Sequence, residues 1–130
     1  MKQKLLLLDE PNHNYRVYPK EVVQKALDTN VVKAVLGCAI TLKTDFTADV
    51  DLQKISHYTQ NLRIEDNYLV GDVTVMKTPE GITLQTLLDR GCNIKFSPSG
   101  TGIVKLRDDE IYVVQDGYRI TSIDWWLDEK

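Results

Sequence analysis

The stretch EDNYLVGDVTVMKTPEGITLQTLLDRG, residues 65–91, decides what kind of fold this chain can take. Glu65-Asp66-Asn67 reads as a turn, because short acidic and amide side chains tolerate the left-handed backbone that a tight reversal needs. Leu69, Gly71, Val73 and Val75 then alternate with Val70, Asp72, Thr74 and Met76, the period of a half-buried strand in a hairpin. The next residues switch period. Thr78 supplies an N-cap, Pro79 a preset first helical turn and Glu80 a carboxylate matched to the helix dipole. Leu84, Leu87 and Leu88 form one apolar stripe, and Gly91 ends the helix.

Working outward, Lys4 to Asp9 reads as a buried first strand closed by Glu10-Pro11-Asn12. A polar loop leads to Pro19, and Val22, Val23, Ala26 and Leu27 predict a helix over 19–29. Val31 to Leu36 and Ala39 to Leu42 read as strands around a kink at Gly37, and Lys43 to Asp51 as a surface loop. Leu52 to Leu62 is expected to cross the sheet, although its spacing also fits a short helix. Asn93 to Phe96 is expected as a strand, Ser97 to Gly102 as a glycine-rich bend, and Ile103 to Leu106 as a strand leaving it. Asp108-Asp109 turns the chain again. Ile111 to Val114 and Tyr118 to Trp126 flank Asp116-Gly117, a strong hairpin signal. Eight or nine short strands with two or three helices, not in βαβ order, predict an α+β fold on a mainly antiparallel, barrel-like sheet.

The chain has 130 residues, 42% apolar and 27% charged, as expected of one domain over residues 1–130. Its formal net charge of -3 provides no general attraction to phosphate backbones, so nucleic acid is not expected as a main partner. The longest apolar run, Leu5 to Leu8, is far short of the roughly 20 residues of a membrane span, so no membrane is expected and a cytosolic setting is. Cys38 and Cys92 form no CxxC pair and read as free thiols in a reducing compartment. Gly100-x-Gly102 lacks the rest of a dinucleotide fingerprint, and GxxxxGK[ST] is absent. Asp45, Asp49 and Asp51 lack the spacing of a calcium loop. Neither a cofactor nor a metal is expected.

Chemistry has few places to sit. Only His13 and His57 are bases near neutral pH, and His57 lies in the more ordered segment. Ser97 is the nucleophile candidate, with amides near Gly100 and Gly102 as candidate oxyanion donors, while Pro98 removes one amide from that neighbourhood. Taken alone, these residues favour a hydrogen-bonded structural histidine and an ordinary strand-end serine. Trp125 and Trp126 place one large ring on each face of a strand, so contact with another chain and capping of the domain's own core are both open.

The order of short motifs carries a resemblance. Asn12-x-Asn14-x-Arg16-x-Tyr18-Pro19 is followed by Ile55-Ser56-His57, Leu69-Val70-Gly71-Asp72-Val73, Thr78-Pro79-x-Gly81 and Phe96-Ser97-Pro98-x-Gly100-x-Gly102. Across residues 11–106 this succession resembles the prohead core proteases of tailed bacteriophages, the T4-like serine proteases that digest scaffold inside the immature head. The resemblance implies a compact β-barrel with flanking helices, akin to herpesvirus assembly proteases, and a role in building a capsid. It places the family's serine on Ser97 and a second histidine on His57. The family's arginine position holds Ser99. The family's catalytic histidine would fall between Gly37 and Asp45, where this sequence has none and Thr41 or Thr44 stands instead. The expectation is therefore a catalytically degenerate member: a virion structural protein, capsid-associated or a decoration module, in the phage head and in the host cytoplasm during assembly. Its expected partners are capsid or scaffold proteins, with self-association or capsid-lattice contacts through Trp125 or Trp126. The alternative is an active serine protease using Ser97 and His57 on scaffold and capsid proteins.

Overall fold

The computed structural model describes residues 1–29, 33–43 and 50–128. Among them lie nine strands and two helices: β1 (Lys2–Leu7), β2 (Arg16–Val17), α1 (Lys20–Thr29), β3 (Val35–Gly37), β4 (His57–Glu65), β5 (Tyr68–Val75), α2 (Pro79–Asp89), β6 (Ile94–Thr101), β7 (Val104–Leu106), β8 (Tyr112–Val114) and β9 (Arg119–Leu127). Single 3₁₀ turns occupy Ile40–Leu42 and Leu52–Lys54. The fold is α+β and mainly antiparallel.

The hairpin predicted around residues 65–67 is β4–β5, with Glu65 opposite Tyr68 and Asp66 at φ 54° in the turn. It forms the middle of a four-stranded sheet in the order β1-β5-β4-β3. The predicted helix is α2, capped by Thr78, whose hydroxyl oxygen accepts from the Gly81 amide at 2.9 Å. The same hydroxyl donates to the Ile55 carbonyl and so fixes the cap to the segment before β4. Helix α1 is capped from a distance, the Asp9 carboxylate accepting from the Lys20 amide at 2.8 Å.

Several expectations are corrected. The first strand runs over Lys2–Leu7 rather than to Asp9, because Asp9 takes the left-handed conformation at φ 64° and starts the turn. Of the strand pair expected around Gly37, β3 keeps Val35–Gly37, whereas Ile40–Leu42 forms a 3₁₀ turn and only Ala39 makes an isolated parallel bridge, to Trp125. Residues 31–32, and 44–49 of the expected loop, lie outside the described residues. Leu52 to Leu62 contains both alternatives in sequence, a 3₁₀ turn and then β4. Ser97 to Thr101 is not a bend: β6 continues through it, with a bulge at Ser99/Gly100, paired with β9 from Ile94↔Leu127 to Thr101↔Arg119, and Gly102 follows its end. Pro98 is tolerated because β6 has only one hydrogen-bonded neighbour, so its other edge needs no amide donor. Asp116-Gly117 does turn the chain, with Gly117 at φ 95°, but the flanking strands do not pair. Strand β8 instead joins a three-stranded sheet in the order β2-β8-β7, parallel to β2, while β9 pairs with β6.

The sheets wrap around one core without closing a hydrogen-bonded ring. Strand β1 packs beside β6 at one side, and at the other β3 meets β9, where the Trp125 amide donates to the Cys38 carbonyl at 3.0 Å. The core between them holds Leu5, Val23, Leu69, Val73, Leu84, Phe96, Ile123 and Trp125. A second cluster of Val22, Ala26, Val114 and Tyr118 joins α1 to β8.

Candidate functional site

Most of the candidate residues lie on the two-stranded β6–β9 ribbon, and His57, at the start of β4, packs against it. Successive side chains along a strand point to opposite faces, and residues paired across an antiparallel ribbon share a face. Phe96 and its partner Trp125 face the core and are buried. Ser97 and Asp124, and Ser99 and Ser122, form consecutive pairs on the opposite, polar face.

His57 belongs to the core face. Its ring meets Phe96 edge-on, with centroids 5.2 Å apart, and is fully buried. Nε2 lies 2.6 Å from the Ile123 carbonyl, an acceptor only, so that nitrogen carries the proton. Nδ1 lies 2.8 Å from the Ser56 hydroxyl, which also accepts from the Trp125 indole N–H at 3.1 Å. The chain of donors is complete: indole to Ser56, Ser56 to Nδ1, Nε2–H to carbonyl. Burial holds the imidazole pKa below its ordinary value, against the opposing influence of the Ile123 carbonyl and the Asp124 charge, so the ring is neutral at pH 7. Its one lone pair points at Ser56, not Ser97.

Ser97 looks the other way, into a groove of about 590 Å³ between the ribbon and the β2-β8-β7 sheet. Asn14, Arg16 and Tyr18 line this groove together with Ser97, Ser99, Gly100 and Gly102, so the first and last of the motifs quoted above converge across most of the chain's length. Arg16 donates from Nη1 to the Tyr18 hydroxyl at 3.3 Å, and its buried Nε has no hydrogen-bond partner among the described residues. Gly100 does not turn the chain. It pairs with Ile120 at a bulge, where a side chain would collide with the Arg119 carbonyl. Three residues along a strand span about 10 Å, so the Gly100 amide is remote from the Ser97 hydroxyl, and Gly102 lies beyond it. An oxyanion hole needs donors at roughly 3 Å from the developing charge. Ser97, Gly100 and Gly102 thus line one groove, while His57 lies on the other face of the ribbon, so the nucleophile and base candidates are not brought together.

The structure instead builds a polar centre that sequence reasoning missed. Asp124, fully buried, accepts from the Ser99 hydroxyl at 2.6 Å, the Ser122 hydroxyl at 2.9 Å and the Lys43 ammonium at 3.2 Å. Its other oxygen accepts from the Cys38 amide at 3.2 Å. Lys43 also donates to Ser122 at 2.7 Å, and its side chain is 4% exposed. Burial, reinforced by the Asp124 charge, pushes the Cys38 thiol up to about 11. A sequence signal existed only in part. Ser97-x-Ser99 and Ser122-x-Asp124 have strand spacing, but alternating polar residues ordinarily mark a solvated face. Lys43 carried no signal.

The two tryptophans divide. Trp125 belongs to the core, 8% exposed with its N–H satisfied, so of the two roles left open it takes the capping of the domain's own core. Trp126 is half-buried on the polar face, opposite exposed Lys95. Among the described residues no group of three or more His, Cys, Asp or Glu could hold a metal ion, and no helix is long and apolar enough to cross a membrane.

No protein-family model matches the sequence, and no curated protein matches it. Among solved structures the chain is similar to the capsid assembly protease of bacteriophage T4, with a TM-score of 0.85 and 21% sequence identity, covering 97% of this chain and 80% of that one. The chain has the α+β fold of that capsid assembly protease.

Proposed function

We propose that this protein is a bacteriophage head component that keeps the protease-like fold as architecture, attached to the capsid or decorating it, and does not hydrolyse peptides. The observation that carries the reading is the orientation of the ribbon: Ser97 and His57 lie on opposite faces, and the basic nitrogen of His57 is occupied by Ser56. A serine hydroxyl without a proton acceptor is a poor nucleophile. Losing a general base removes about 10² to 10⁴ in rate, and losing an oxyanion donor about 10² to 10³. Asp124 does not replace the base: the Ser99 and Ser122 hydroxyls and the Lys43 ammonium crowd one of its oxygens, and the Cys38 amide and thiol face the other.

The partners in this reading are capsid or scaffold proteins, met in the host cytoplasm during assembly and retained in the virion. Trp126 is the ring placed to contribute, since large rings with a buried edge anchor protein contacts. The resemblance of the ordered motifs and the likeness in fold to a capsid assembly protease support the setting. Denaturing gel analysis of purified particles tests it. An intact band at the mass of the chain, 14.9 kDa, is expected in mature heads, and its absence there contradicts the proposal.

A second reading, a serine endopeptidase acting on scaffold and capsid proteins, is favoured by one observation, the exposure of Ser97 to a groove large enough for a peptide side chain. The two readings separate on whether the Ser97 hydroxyl reacts.

A further inference from the structure

Asp124 touches more of the chain than a residue of the ribbon needs to. Its donors come from β6, from β9 itself and from both ends of the segment that follows β3: the Cys38 amide at one end and the Lys43 ammonium at the other. Between those ends Ile40 forms part of the groove wall. Cys38 and Ala39 are buried, but Ile40 is only half-buried and Thr41 and Leu42 are exposed, so apolar burial holds the second half of the segment weakly. The first half is also tied to β9 through the Trp125 amide and the Cys38 carbonyl, whereas the second half packs on β9 and carries, among the described residues, an exposed bond of 3.4 Å from the Lys54 ammonium to the Leu42 carbonyl.

We propose that the buried Lys43–Asp124 pair is an internal latch, which pins residues 38–43 across the polar face of the ribbon and so fixes the wall of the groove that contains Ile40. A surface ion pair would be too weak for this role, since such pairs contribute little and are screened by salt. Here both side chains are removed from water, 4% and 0% exposed, and each has a hydroxyl partner besides the other charge. In that setting neither charge can leave without stranding its partner. The latch depends only on this geometry and holds whether or not Ser97 reacts.

Cys38 reports on the latch, because its thiol lies behind the pair, 3.8 Å from Asp124. The experiment uses the full chain with Cys92→Ser, so that Cys38 is the only thiol, and follows its modification by a small methanethiosulfonate under native conditions. The parent is compared with Lys43→Met/Asp124→Asn, which removes both charges and leaves no lone buried ion to prevent folding. Leu84→Ala serves as a control that weakens the core from α2. Each protein is measured at the same interval below its own melting temperature. The latch predicts that the double variant reacts roughly tenfold faster or more through local opening and that the amides of residues 38–43 exchange hydrogen faster in parallel, which a change in the thiol's own ionisation would not cause, while Leu84→Ala stays within about twofold of the parent in both. A double variant within about twofold of the parent overturns the proposal, and so does an equal acceleration in both variants.

Discussion

At the scale of single residues, two buried polar centres back onto the same ribbon and are kept apart by it. His57 is neutral because it is buried, and that gives a signed prediction. Its folded pKa lies below the unfolded value of 6.5, so the unfolded chain binds more protons and folding stability falls as pH drops through about 6.5 and below. His57→Phe should flatten that region in urea denaturation followed from pH 7 to 5, at a cost of about 1–3 kcal/mol at pH 7 from the unpaired Ser56 hydroxyl and Ile123 carbonyl. An unchanged pH slope would remove His57 as its source. On the other face, Asp124→Ala should lower stability by about 3–5 kcal/mol, since it leaves Lys43 buried without a counter-ion. A loss near zero in the same measurement would mean that the ammonium reaches water unaided. Neither centre was legible from the residues alone. His57 and Ser97 were identifiable as the groups able to do chemistry, but which face each occupies depends on β6 continuing straight through Ser97-Pro98-Ser99, where Pro98 and Gly100 suggested a bend.

At the scale of elements, local signals worked where the element is stabilised locally and failed where partners are remote. The hairpin β4–β5 and helix α2 follow from turn chemistry, alternation and an N-cap within a few residues of one another. The Asp116-Gly117 turn has equally good local chemistry, yet β8 and β9 separate, β8 lying between β2 and β7 and β9 pairing with β6. The expected strand after Gly37 likewise gives way to a 3₁₀ turn, because Lys43 is drawn into the Asp124 centre. The seam between β3 and β9 is the element contact most sensitive to substitution. A methyl group at Gly37 would meet the Ile123 carbonyl and the His57 ring, and neither is the end of a flexible side chain. Gly37→Ala should therefore cost at least about 1–3 kcal/mol, read as a fall in the urea midpoint. Thr78→Ala, which removes the α2 cap and its link to Ile55, should cost about 0.5–2 kcal/mol in the same assay. If Gly37→Ala proves as mild as an exposed-surface change, the close approach of the two strands is not a constraint on the fold.

At the scale of the whole molecule, residues 14–18 near the start of the chain, 97–104 and Val114 and Tyr118 near its end build the groove together, with Ile40 of the 3₁₀ turn after β3 as a further wall. Composition described one ordinary globular domain and nothing more, whereas the order of five short motifs resembled the phage prohead proteases, and the fold is that of the T4 capsid assembly protease. That order was informative because motifs far apart in sequence must meet in space, as Arg16 and Ser97 do in the groove. Reactivity was not legible in the same way, since it depends on ångström-scale facing of side chains that motif order does not encode. The most direct test is therefore chemical. The purified protein is incubated with a serine-directed phosphonate at pH 7–8, with Ser97→Ala in parallel, and the adduct is read by intact mass. No adduct on Ser97 is expected, because among the described residues the one carboxylate paired across from it, Asp124, is already held by Ser99, Ser122 and Lys43, and His57 lies on the other face. A stoichiometric adduct that disappears in Ser97→Ala would contradict it.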